Sequence, residues 1–118
     1  MATLAGMPDP LEELTQRVSR PAGEELSVGF SGDDAEILAV EAVAGRIVWV
    51  QSIDVTVAAD GDFSILDGAG GDAVVGPVPG TAGGQYTYGP FRLTAGNALA
   101  IVPPTGIVAG GNVTYRIV

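Results

Sequence analysis

Four aspartates crowd the run DGDFSILDGAGGD: Asp60, Asp62, Asp67 and Asp72. Carboxylates this close have two chemical uses. They can act as hard oxygen ligands for a cation such as calcium, or as the acid–base pair of glycoside hydrolysis. The calcium-loop pattern fails at key positions, because Ser64 stands where the third ligand is usually acidic and Gly71 where the last one falls. The tandem glycine–aspartate repeats of calcium β-rolls are also missing. Asp60 and Asp62 sit in AADGDF, a composition that reads as a turn between strands. These four are the candidate metal ligands, and no resident metal or other cofactor is expected.

Other chemistry lacks its partners. The serines Ser19, Ser27, Ser31, Ser52 and Ser64 have no histidine or lysine anywhere in the chain to serve as base. Without histidine or cysteine, zinc, iron and copper sites are not expected. GAGGD follows a strand pattern but opens no helix, so it is a poor phosphate loop. The chain reads as a non-enzyme.

Charge narrows the partners. Fourteen carboxylates face only five arginines, for a formal charge of −9. Such a surface repels phosphate backbones, so no nucleic-acid partner is expected. No apolar run approaches the ~18–20 residues a membrane helix needs, and MATLAGMPDP has neither the basic nor the apolar region of a signal peptide. No membrane partner is expected.

The elements that must position these groups divide the chain in two: an arm over residues 1–25 and a sandwich over 26–118. In the arm, PDPLEELTQRVSRP offers Asp9 as N-cap, Pro10 at the first helical position and Glu12 three residues after the cap. Leu11, Leu14 and Val18 form a narrow apolar stripe that Pro21 ends. Two to three turns are marginal alone in water, so this helix must dock. Arg17 and Arg20 lie beside the stripe. Two dispositions stand open: the arm contacts a partner, or it folds onto its own or a neighbouring subunit.

From Leu26 the period turns strand-like. Strands are expected near 26–30, 35–43, 46–58, 62–67, 73–78, 86–92, 97–103 and 111–118, divided by breaks such as SGDD, ADG and PGTAGGQ. In RIVWVQSIDVTV, Ile53, Val55 and Val57 alternate with Ser52, Asp54 and Thr56, one buried face and one wet one. Its first half is apolar on both sides, Ile47 and Trp49 against Val48 and Val50, which predicts cover on both faces. The terminal strand alternates Val113, Tyr115 and Ile117 with Thr114 and Arg116. Eight short strands predict an all-β, eight-stranded jelly-roll-like β-sandwich. With only 6% aromatic residues, the rings of Trp49, Tyr86, Tyr88 and Tyr115 are expected in the core or at a subunit interface.

From about Ala35 to Val118 the chain resembles the small jelly-roll domain of tailed-bacteriophage virion proteins, capsid decoration (cement) proteins and head-fibre proteins among them. The resemblance rests on VEAVAGRIVWVQSIDVTV, DGDFSILDG, YGPFRLTAGNALAIV and VAGGNVTYRIV in that order. Such domains are similar to the tumour necrosis factor-like sandwich and commonly form trimers. The resemblance implies a decoration protein on the capsid surface, made in the host cytoplasm, with the major capsid protein and itself, as a homotrimer, for partners. The candidate shell contacts are Leu11, Leu14, Arg17, Val18 and Arg20. A receptor- or glycan-binding head of a phage fibre is the alternative.

Overall fold

A computed structural model describes residues 23–118. The arm helix and its shell-contact candidates Leu11, Leu14, Arg17, Val18 and Arg20 lie outside the described residues. The remainder is all-β. Nine strands run β1 (Leu26–Gly32), β2 (Ile37–Val40), β3 (Val48–Val57), β4 (Gly61–Asp67), β5 (Asp72–Gly80), β6 (Gln85–Tyr88), β7 (Phe91–Arg92), β8 (Leu99–Val102) and β9 (Ala109–Ile117).

The pairings are nested. β4 pairs with β5, β3 with β6 and β7, β2 with β8, and β1 with β9, all antiparallel. The chain is thus doubled into one long hairpin whose tip is the β4–β5 turn. Rolling that hairpin adds the β3–β9 and β4–β8 pairings. The result is a five-stranded sheet, β1-β9-β3-β6 with β7 also on β3, packed on a four-stranded sheet, β2-β8-β4-β5. This is a jelly-roll-like sandwich of nine strands, not the expected eight.

The ninth strand comes from a local break. Proline has no N–H to give to a ladder, so Pro90 divides one strand into β6 and β7. On the facing strand, β3 carries a bulge between Val50 and Ser52. A side chain at Gly89 would meet the Gln51 carbonyl at 2.5 Å, so only glycine fits between break and bulge. The extra residue also reverses the parity of β3. Val48 and Val50 face inward before it, Ile53, Val55 and Val57 after it, and all five are buried. The first half of the strand reads as apolar on both sides because Ile47 and Trp49 alternate there with the inward Val48 and Val50. Ile47 and Trp49 fall on the outer side and are half-buried, not covered.

Phe63, Ile53, Ile65, Leu99, Ile101 and Val113 fill the space between the sheets, and no polar or charged residue is buried among the described residues. A row Ile37, Ile101, Ile65 and Val75 crosses all four strands of the smaller sheet in register.

Candidate interaction face

The outer face of the five-stranded sheet follows from register. Ser52, Asp54 and Thr56 point away from the core because their neighbours Ile53, Val55 and Val57 point into it. Across the sheet, Gln85, Thr56, Gly110 and Ser31 form one row. Thr87, Asp54, Asn112 and Gly29 form the next, then Ser52, Thr114 and Ser27. Trp49 ends the series, with Arg92 of β7 on one side and Arg116 of β9 on the other.

The face is small, polar and nearly uncharged. Its one carboxylate among these positions, Asp54, accepts a 2.7 Å hydrogen bond from the Thr87 hydroxyl. Thr56 donates to the Gly110 carbonyl at 3.2 Å. Arg92 is exposed, whereas Arg116 is half-buried. The Arg116 Nη1 donates to the Gly23 carbonyl, and its buried Nε meets no partner among the described residues. Arg46 lies at the same end and donates to the Val118 and Ile117 carbonyls. Two of the three arginines of the described region, Arg92 and Arg116, therefore flank the single tryptophan.

Three of the four aromatic interface candidates lie elsewhere. Tyr86 and Tyr88 face inward and pack tilted against Phe63, with ring centroids 5.3 and 6.3 Å away. The Tyr86 hydroxyl also accepts from Thr81 N at 2.9 Å. Tyr115 shares the core side of β9 with Val113 and packs against the buried cluster. All three are partly buried rings of the core rim. Trp49 alone among the four is on the outer face.

The four aspartates do not converge. Asp60 and Asp62 flank the β3–β4 turn, while Asp67 and Asp72 pair across the far end of β4. The seven residues of β4 hold the two pairs ~20 Å apart. No group of three or more acidic, histidine or cysteine side chains able to hold a metal is present among the described residues. Asp60 instead accepts from Ala82 N at 2.8 Å and fixes a turn.

Asp67 is a latch. Its carboxylate accepts from Thr94 N at 3.0 and 3.1 Å, the Thr94 hydroxyl at 2.7 Å and Asn97 Nδ2 at 3.0 Å. Gly68 N donates to the Ala98 carbonyl, and Glu36 accepts from Gly70 N. These bonds tie the hairpin tip to the β7–β8 loop and to the start of β2. An open pocket of 240 Å³ beside the tip has Asp67 and Asn97 among its lining residues, and both are already engaged in the latch.

Desolvation pushes the Asp67 carboxyl up, but the hydrogen bonds from Thr94 and Asn97 outweigh it, and the net shift is downward. A lowered folded-state pKa stabilises above the unfolded value and is lost as pH falls through the folded one. Asp67→Ala should cost about 1–2 kcal/mol at pH 7, because water reaches the site and replaces part of what is lost. The gap in melting temperature between wild type and variant should begin to narrow as pH falls through about 4, the unfolded value, and go on narrowing below it. A gap that stays constant over that range would refute the latch.

The fold and the face together define a class: a jelly-roll-like β-sandwich with a hydroxyl- and amide-rich side. No family model, curated protein or solved structure matches the chain.

Proposed function

We propose that this chain is a non-enzymatic virion structural protein that binds and stabilises the outer surface of a phage capsid shell, with the major capsid protein as partner and a homotrimer as the working form. The observation that carries the reading is the outer face of the five-stranded sheet. In a chain of charge −9, it presents one hydrogen-bonded carboxylate, two arginines and a tryptophan. Such a surface is suited to contact. The motif order from Ala35 to Val118 supports the same reading.

The experiment is co-sedimentation with undecorated capsids, combined with counting this chain against the major shell protein in purified particles. Stoichiometric occupancy is expected. Deleting residues 1–25 should abolish shell binding if the arm is the anchor, and should spare folding. Normal binding by the truncated protein moves the contact to the sandwich. Absence from particles refutes the reading.

The exposed setting of the outer face favours a second reading, the glycan-binding head of a fibre. Trp49 offers a ring beside two guanidinium groups and rows of hydroxyls and amides, groups that also suit a sugar. A few copies per particle, with binding to host glycans lost in Trp49→Ala, would select it over decoration.

A further inference from the structure

We infer that a second copy of this chain docks on the outer face of the five-stranded sheet, around Trp49, Arg92 and Arg116; the inference deepens the homotrimer element of the proposed function and rests on it. Two copies of charge −9 repel one another, so any self-contact must use a surface where carboxylates are sparse. The paired strand positions of the outer face meet that condition, since Asp54 is their one carboxylate and it accepts a hydrogen bond from the Thr87 hydroxyl. The other large surface does not. Asp62, Asp67 and Asp72 all belong to strands of the four-stranded sheet.

Residue type supports the same face. Tryptophan and arginine are the side chains that most often dominate binding energy at protein interfaces. Arg92 is exposed, and the carboxylates of an approaching copy can supply it with a partner. From this end toward the other, Ser27, Thr114, Gly29, Gly110 and Ser31 are small, so a partner can approach closely. With β3 ten residues long and four strands abreast, the face offers on the order of 600 Å² per copy, against ~800 Å² in a standard interface. That area suits a contact of modest affinity, formed at the high local concentrations of an assembly.

The test is sedimentation equilibrium of the full chain, with the melting temperature of every variant recorded. Wild type should associate at tens of micromolar. Thr56→Glu and Ser27→Glu add a carboxylate at exposed positions of the face. Each should weaken association at least about tenfold without lowering the melting temperature. Leu38→Glu, at a 53% exposed position on the other sheet, should leave association unchanged. A wild type that stays monomeric to about 100 µM overturns the inference. So does association lost in Leu38→Glu but kept in the two face variants. If wild type is monomeric and Thr56→Glu loses capsid binding, the face belongs to the shell; the inference then falls and the decoration reading stands. Self-association through the face without any capsid binding gives the reverse result.

Discussion

Gly111→Val should be among the most damaging single substitutions in this chain, at least about 3 kcal/mol and a melting temperature lower by ~12–24 °C. Gly111 sits in β9 between Phe30 of β1 and Val55 of β3. A Cβ there would collide with the Asp54 carbonyl and come within 3.2 Å of the Phe30 ring. Neither neighbour can move aside freely. The carbonyl belongs to a central strand, and the ring is buried between the sheets. Thermal unfolding followed by circular dichroism measures the effect, and a variant melting within 2–3 °C of wild type would show that β9 can shift its register to make room. Such a shift would also displace Asn112 and Thr114, so the outer face should lose its rows along with its stability.

Phe63→Ala should cost about 3–5 kcal/mol, read as a lower urea midpoint with an unchanged slope. Phe63 is 1% exposed and carries both tyrosines of β6. Removing the ring leaves a cavity at the place where the four-stranded sheet holds the edge of the other. β6 bears Gln85 and Thr87, so the variant should also protect the amides of β6 less against hydrogen exchange than those of β9. Phe63→Leu keeps most of the volume and should lose only a fraction of that stability. Equal midpoints for wild type and Phe63→Ala would mean that the tyrosines hold the edge without it.

Much of this architecture is legible in the amino-acid sequence. Each expected strand segment overlaps an observed strand, because glycine, proline and acidic turn residues mark the ends of short apolar runs whatever the tertiary structure. The alternation from Ser52 to Val57 correctly separated wet from buried side chains. The site was less legible. Asp60, Asp62, Asp67 and Asp72 are close in sequence, yet β4 carries one pair to each end of the sandwich. Tyr86 and Tyr88 alternate with polar residues, which fixes their common side but not that this side faces Phe63. The parity reversal in β3 also escaped the pattern, since a bulge at Gln51 has no marker in its own strand. Its counterpart is the Gly89–Pro90 break, far along the chain.

The amino-acid sequence by itself determined the all-β class, the positions of the breaks, the acidic charge and the lack of histidine, lysine and cysteine, because each of these depends on residue type and near neighbours alone. The tertiary structure decided which distant residues stand side by side. Arg92 and Arg116 flank Trp49 only because β7 and β9 pair with β3 on opposite sides in one register. A slip of a single residue would turn either arginine toward the core and replace it on the outer face with an apolar neighbour. Burial of Val48, Val50, Ile53, Val55 and Val57 against the second sheet forbids that slip, so the packing of the core is what composes the face.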